Sequence, residues 1–389
     1  MKVLQVIDTL GMGGAETWLM EVLRLWSKNG ECHIDFLATS GNPGIFDEEA
    51  RQLGSRVHYI RYGRAHMRRF AAEFRRLLRY GNYDAIHDHQ DYASGWHLLM
   101  GAGALPSVRV THVHNPWLHI ETNYATGPLR QFTATAGKQL VHQLATHVCG
   151  TSEEALRRYG FQPGQARRPT VSVVHCGFDV GKFNAARESD RQSVLLEFGW
   201  QGESRVVLFV GRLDRAMEFD HPQNHKNSWF ALNVVRAAIE KQPSVRFLMA
   251  GAGDHSRREL ERQIEHWGLK EKLRLIGVRR DVARLMRAAD VLLFPSRQEG
   301  LGMVAVEAQA ACLPVLASTA VPRECVVIPE LYDALSLSEP IEIWAAALLR
   351  ALARPRLPVE LCRHAIRSSP YSIANSARQL EEIYSTTPP

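Results

Sequence analysis

The sequence predicts an α/β protein of two Rossmann-like, doubly wound domains. Short β-branched runs alternate with amphipathic helical stretches along nearly the whole chain, the pattern of parallel sheets covered by helices. The 389 residues exceed what one core needs and suit two domains at about 150 residues each. Each half also opens alike: a strand from Lys2 leads into Gly11-Met12-Gly13-Gly14-Ala15-Glu16, and a strand from Val206 leads into Gly211-Arg212-Leu213. In such sheets ligands sit beyond the carboxyl ends of the strands, so two domains facing across a cleft are expected to hold substrates there.

Taken in order, the strands of the first half read as Val3–Ile7, His33–Ala38, Val57–Ile60, Asp84–His87, Val108–Val113 and Val171–Val174. Those of the second half read as Val206–Val210, Val245–Ala250, Leu273–Ile276, Val291–Phe294 and Pro314–Ala317, all short and apolar. Asp179 to Ser193 is polar and weakly periodic, the composition of a linker. The boundary is therefore placed near 185, giving domains 1–185 and 186–370. The last helical stretch, Tyr371 to Tyr384 within 371–389, is a candidate to pack back on the first domain.

Composition narrows the class. With 45% apolar and 23% charged residues, a disordered, collagen-like or coiled-coil chain is excluded. The six cysteines contain no C-x-x-C pair, so neither a disulfide framework nor a zinc knuckle is signalled and a reducing cytosol fits. Asp8 and then glycines interrupt any apolar leader, so the N-terminus reads as a strand and not a secretion signal. The charge-free stretch Tyr92–Val108 falls short of the ~20 apolar residues of a spanning helix. The net charge of +6 favours anionic partners without specifying nucleic acid.

Several segments carry candidate chemistry. The turn Gly11 to Gly14, between a strand and a helix, lets backbone N–H groups approach an anion. It lacks the third glycine and the acid after the second strand that a dinucleotide site needs, which disfavours NAD. Gly251-Ala252-Gly253 is a similar near miss; either turn also reads as a tight connection. After the strand Val291–Phe294 comes Pro295-Ser296-Arg297-Gln298-Glu299-Gly300-Leu301-Gly302-Met303-Val304-Ala305-Val306-Glu307-Ala308. A helix starting near Gly302 aims its free N–H groups at an anion, with Glu307 one turn inside and Glu299 in the loop. That suits a ligand bearing hydroxyls and a diphosphate; the plainer reading makes both glutamates ordinary helix-start acids.

Arg212 and Lys226-Asn227 stand on loops that can converge, and two cations neutralise a diphosphate without a metal ion. Alone, each reads as a solvated basic residue. The long polar run Asp214–His225 between them reads as an excursion or a specificity loop. His87-Asp88-His89 and His112-Val113-His114 end strands, and period 2 puts both members of a pair on one side. No carboxylate or cysteine spacing completes a metal site, so they are expected as polar lining. In residues 51–80 nine arginines stand against one acid, Glu73. Met67, Phe70, Ala71, Phe74, Leu77 and Leu78 form one stripe of this helix, expected to face the core, with Arg68, Arg69, Arg75, Arg76 and Arg79 opposite. Such a basic face is either solvated or rests on anionic lipid.

These residues together resemble a retaining family 4 glycosyltransferase of the GT-B fold, the group that includes bacterial exopolysaccharide and capsule enzymes. The resemblance spans essentially the whole chain. Its signature E-x7-E is Glu299 to Glu307, running into Ala308-Gln309-Ala310-Ala311, and the N-terminal glycine loop with Glu16 matches. Gly211-Arg212-Leu213 with Lys226-Asn227 resembles the family's diphosphate-binding Arg and Lys, His114-Asn115 its cleft histidine motif, and Gly277-Val278-Arg279 the segment beside the nucleotide base. The chain departs from the pattern in a longer Arg212–Lys226 spacing, in Cys312 where glycine commonly precedes Leu-Pro, and in Cys176 where asparagine commonly precedes Gly177-Phe178-Asp179.

The resemblance implies the following roles. The donor, a nucleoside-diphosphate sugar expected to be a UDP sugar, meets Gly13, Gly14, Arg212, Lys226, Val278, Arg279, Glu299, the amides of Gly300, Leu301, Gly302, Met303 and Val304, and Glu307. Glu299 contacts donor-sugar hydroxyls and Glu307 the ribose. His114, Arg212, Lys226 and Glu299 form the catalytic set, and His114, Asn115 and Glu16 face the acceptor, a glycan or lipid-linked glycan. No metal or other cofactor and no nucleic acid is implied. The expected location is cytoplasmic, with peripheral contact to the inner face of an anionic membrane. A nucleotide-sugar epimerase or phosphorylase of the same fold, and a non-catalytic polyanion-binding protein, are the alternative readings.

Overall fold

In a computed structural model the chain divides into two units, Met1–Asp179 with Pro370–Pro389, and Val180–Ser369. The structure describes residues 1–30, 32–115, 117, 120–121, 127–164, 169–183, 187–213, 221 and 223–386, the side chains of Asp254 and His255 excepted.

The first unit holds a seven-stranded sheet of β1 (Lys2–Ile7), β2 (His33–Ala38), β3 (Val57–Tyr59), β4 (Ala85–Asp88), β5 (Val108–Val113), β6 (His147–Gly150) and β7 (Thr170–Val173). Its order is β3-β2-β1-β4-β5-β6-β7, and every pairing is parallel. The second holds a six-stranded sheet of β8 (Arg205–Val210), β9 (Val245–Ala250), β10 (Leu273–Gly277), β11 (Val291–Phe294), β12 (Val315–Ser318) and β13 (Tyr332–Leu335), ordered β10-β9-β8-β11-β12-β13 and again parallel throughout. Each order reverses once, between β1 and β4 and between β8 and β11. Loops leaving those strands part to opposite faces of the sheet and leave a crevice, where doubly wound sheets place ligands.

The central strands are apolar on both faces, as parallel strands covered by helices require: Val3, Leu4 and Val6 are wholly buried. Gln5 breaks this run and is equally buried. The helix Gly14–Asn29 buries Trp18, Leu19, Val22, Leu23 and Trp26. Each indole N–H is satisfied by the C-terminal helix Ile373–Tyr384: Trp18 Nε1 donates to Ser376 Oγ at 2.9 Å, and Trp26 Nε1 donates to Glu381 Oε1. Large aromatic area with a bonded polar tip makes this an anchored contact, and it places the C-terminal helix in the first unit.

Two strands, β6 and β13, lie outside the set read from sequence, and the stretch expected as a linker is largely structured. Residues 184–186 of it fall outside the described residues, but Val180–Phe183 forms a 3-10 turn and Arg187–Glu197 a helix. The helix is held by Asp290, which accepts from Arg191 Nη1 at 3.0 Å and from Arg187 Nη2 at 2.8 Å. The division accordingly falls between Asp179 and Val180. The basic helix Met67–Gly81 buries Phe70, Phe74 and Leu78, each contributing about 2 kcal/mol by burial. Met67, expected in that stripe, is 38% exposed because it opens the helix at the edge of the core. Arg68, Arg69, Arg76 and Arg79 are exposed and Arg75 is half-buried.

Candidate functional site

In the second unit, the chain leaving β11 turns through Glu299 and Gly300 into the helix Met303–Ala310. Gly302 makes the turn at φ 91°, where only glycine is unstrained. A Cβ there would also sit 2.9 Å from Val321 Cγ1 and 3.1 Å from Phe294 Cε1. The helix therefore starts at Met303, with its first amides free of helical partners and its positive dipole end at the carboxyl end of the sheet. Glu299 lies in the loop and Glu307 within the helix.

Lys226 comes from the loop before the helix Ser228–Lys241. Its Nζ donates to Glu299 Oε1 at 2.5 Å and lies 5.5 Å from the centre of the Phe294 ring, so a cation, a carboxylate and an aromatic face meet at the end of β11. The lysine stem packs against Gly211, where a Cβ would be 3.3 Å from Lys226 Cδ. The loops of Lys226 and Arg212 thereby touch beside β8, and Arg212 itself is exposed. The Arg297 amide donates to His225 O at 2.7 Å, pinning the Lys226 loop to the Glu299 loop. Of the run Asp214–His225, residues 214–220 and 222 lie outside the described residues.

Gly251 serves close packing: a Cβ there would lie 1.8 Å from Gly211 O. Val278 is 55% exposed. Arg279 donates to both oxygens of Asp281 at 2.7 Å and to Glu197 at 2.6 Å. These bonds, Asp281 first, hold the guanidinium well above the usual arginine range. Cys312 sits at φ 52°, left-handed backbone that accounts for a glycine being common there in the family pattern.

In the first unit, Gly13 caps the helix Gly14–Asn29, and the carboxylate of Glu16 folds over it: a Cβ on Gly13 would lie 2.2 Å from Glu16 Oε2. Gly14 has open space around its Cα. Burial, with a smaller contribution from the nearby Asp8 charge, raises the Glu16 pKa against a hydrogen bond from its own amide. The glycine turn thus presents a carboxylate as well as amides.

The two His-x-His pairs come together. The rings of His87 and His89 lie 4.1 Å apart, and those of His112 and His114 4.3 Å apart. His87 stacks on His112 at 5.3 Å, while Trp18 meets His112 edge-on at 5.2 Å. Burial drives His87, His89 and His112 well below the ordinary imidazole pKa, and His114 down to about 4. His114 and Asn115 are set by Asp91, whose Oδ1 accepts from the His114 amide at 2.9 Å and the Asn115 amide at 3.3 Å. Its Oδ2 accepts from Asn115 Nδ2 at 2.8 Å. Burial, prevailing over these bonds, pushes the Asp91 carboxyl up to about 6.

Among the described residues, His87, His89 and His112 are close enough to share a cation, with nitrogens within 4.8 Å. The donor set fits a hydrogen-bonded stack better. Both His89 nitrogens are committed, Nδ1 to His114 Nε2 at 2.9 Å and Nε2 to Gln5 Oε1 at 2.8 Å. The described trio is buried and contains no carboxylate or thiolate to offset a divalent charge. Asp91, Gln5 and Tyr384 are site residues that the sequence reading missed. A polar residue inside the apolar run Val3-Leu4-Gln5-Val6-Ile7 was the available signal for Gln5, and an acid just past His89 the signal for Asp91.

Comparison with known proteins places this architecture. The model of Glycosyltransferase Family 4 matches residues 12–182 and that of Glycosyl transferases group 1 matches 204–354, one on each unit; the protein is a glycosyltransferase. EpsF of Bacillus subtilis (strain 168), which carries a glycosyltransferase name, is 30% identical over 388 residues, 98% of this chain and 96% of that protein. D-inositol 3-phosphate glycosyltransferase of Mycobacterium tuberculosis (strain F11) is 28% identical over 78% of this chain and 62% of that protein. Among solved structures, Anabaena HepE in complex with UDP superposes with a TM-score of 0.74 at 20% identity, covering 98% of this chain and 99% of that one. The chain belongs to the family 4 glycosyltransferases of the GT-B fold.

Proposed function

We propose that this glycosyltransferase moves a sugar, with retention of anomeric configuration, from a nucleoside-diphosphate donor to a hydroxyl of a glycan or lipid-linked glycan in polysaccharide biosynthesis. The observation that carries the reading is the meeting of Lys226, Glu299 and the start of the helix Met303–Ala310 at the ends of β8 and β11. Complexes of HepE with UDP and with UDP-glucose support a UDP sugar as donor.

Breaking the anomeric C–O bond builds positive charge on the sugar and negative charge on the departing diphosphate. Stabilising that leaving group is the main electrostatic demand. Arg212, Lys226 and the amides of Gly302, Met303 and Val304 are suited to it, so no metal ion is called for. Glu299 holds donor-sugar hydroxyls, Gly300 and Leu301 line the same turn, and Glu307 holds the ribose. Val278, with Arg279 fixed by its carboxylates, flanks the base, and Gly13 and Gly14 offer amides to the donor. His114 bonds the sugar near the reacting carbon, with Asn115 and Glu16 on the acceptor side. Front-face attack by the acceptor hydroxyl needs no protein nucleophile.

The protein acts in the cytoplasm, and the exposed arginines of the helix Met67–Gly81 support peripheral contact with an anionic leaflet. Among the described residues no helix is long and apolar enough to cross a membrane. Incubation with a panel of nucleotide sugars and candidate acceptors, with mass spectrometry of the product, tests the reading. A glycosylated acceptor is the expected result; an isomerised nucleotide sugar, a sugar phosphate or no turnover would favour the epimerase, phosphorylase or polyanion-binding alternatives.

A further inference from the structure

The buried face of β1, β4 and β5 contains a continuous chain of hydrogen bonds whose direction follows from the orientation of the Gln5 amide. His114 Nε2 lies 2.9 Å from His89 Nδ1, and His89 Nε2 lies 2.8 Å from Gln5 Oε1. Gln5 Nε2 donates to the Tyr384 hydroxyl at 3.0 Å, and that hydroxyl lies 2.6 Å from His87 Nδ1. An amide oxygen can only accept, so His89 carries its proton on Nε2. His89 is held neutral by burial, which leaves its Nδ1 bare and makes it the acceptor from His114 Nε2–H. The Tyr384 hydroxyl, receiving the Gln5 amide proton, gives its own proton to His87.

His114 is neutral as well, with its pKa near 4. One ring proton is then available, and the chain places it on Nε2. We propose that Gln5, His89 and Tyr384 are positioning residues that hold His114 as its Nε2–H tautomer, so that it meets its ligand through a bare Nδ1 and accepts a hydrogen bond from a sugar hydroxyl. In this state His114 cannot donate to an oxygen of the leaving diphosphate. The inference rests on the reading of His114 as a sugar contact and narrows it to one kind of partner atom. It also gives the C-terminal helix a role in the site, because Tyr384 is delivered to β1 from the end of the chain by a helix whose Ser376 and Glu381 are bonded to Trp18 and Trp26.

The test reads the proton directly. Protein labelled with 15N at histidine, free of ligand, is examined by long-range 1H–15N correlation, with the His114 signals assigned from a His114→Gln variant. The expected result is a single Nε2–H tautomer for His114. Gln5→Met and Tyr384→Phe should then give a mixture of tautomers, and a roughly 10-fold or greater fall in kcat with little change in donor KM. An Nδ1–H tautomer in the wild type, which the same chain would give with every proton reversed and the Gln5 amide turned over, overturns the proposal. So does a single Nε2–H tautomer that persists in both variants. The wild-type spectrum decides the tautomer even where a variant fails to fold. A wild type with the expected tautomer but no transferase activity would instead count against the functional reading alone.

Discussion

Lys226 Nζ lies 2.5 Å from Glu299 Oε1, and the two side chains are only 24% and 10% exposed. Each therefore offsets part of the other's charge in a poorly solvated place, and removing one takes that contribution from its partner. Lys226→Met and Glu299→Ala should each lower kcat by about 100-fold, as loss of one well-placed polar stabiliser does. Because they share a contact, the double variant should lose far less than the product of the single losses, a coupling of roughly 1–3 kcal/mol. A double-mutant cycle on initial rates checks this; strictly multiplicative losses would separate the two residues functionally.

The two glutamates of the signature should divide sugar from nucleotide. Glu307→Ala is expected to weaken binding of the nucleoside diphosphate by about 10-fold, the worth of a hydrogen bond to a charged group. Glu299→Ala should leave that affinity nearly unchanged. Calorimetric titration with UDP reads both, and the reverse pattern would exchange the assigned roles.

The histidine stack sets an acid limit on the first unit. An unfolded histidine titrates near 6.5, whereas burial holds His87, His89 and His112 well below that value and His114 near 4. The native state thus keeps these rings neutral where the unfolded chain would protonate them. The stability they contribute is intact above about pH 6.5 and is lost as the pH falls from there toward 4. His112→Phe keeps an aromatic ring but cannot titrate, so it should flatten this decline. Hydrogen exchange of the β4 and β5 amides at pH 8 and pH 5 measures it, and an undiminished pH dependence in the variant would exclude His112 as a contributor.

The proposed membrane contact would be made by Arg68, Arg69, Arg75, Arg76 and Arg79. Near an anionic surface each arginine is worth up to about 1 kcal/mol, and the screening length of about 8 Å at physiological salt makes such binding fall steeply as salt rises. Vesicle sedimentation should show wild type on anionic but not neutral lipid, and a variant with glutamine at all five positions on neither. Equal partitioning of the two proteins would make the arginines a solvated face.

The fold class was legible because parallel strands buried on both faces write unbroken apolar runs, and Val206–Val210 or Val291–Phe294 can hardly be read otherwise. The four-residue strands His147–Gly150 and Tyr332–Leu335 offer no unbroken apolar run, because His147 opens the first and Asp333 interrupts the second, so neither registers. The helix Arg187–Glu197 was hidden for another reason: its polar sequence is stabilised by Asp290, about a hundred positions away. The same separation concealed part of the site. The E-x7-E spacing is local and stands out, and so do the His-x-His pairs. Gln5 gains its meaning from Tyr384, 379 residues further on, and Asp91 from the amides of His114 and Asn115.

Lys226, Glu299 and the helix that follows are proposed to hold a nucleoside-diphosphate sugar for transfer. The most direct test is the initial rate of acceptor-dependent nucleoside diphosphate release, measured with excess chelator for wild type and Glu299→Ala. The expected result is release that requires the acceptor, is unaffected by the chelator and is about 100-fold slower in the variant. Release that the variant leaves intact, or that returns only on adding manganese or magnesium, would contradict it.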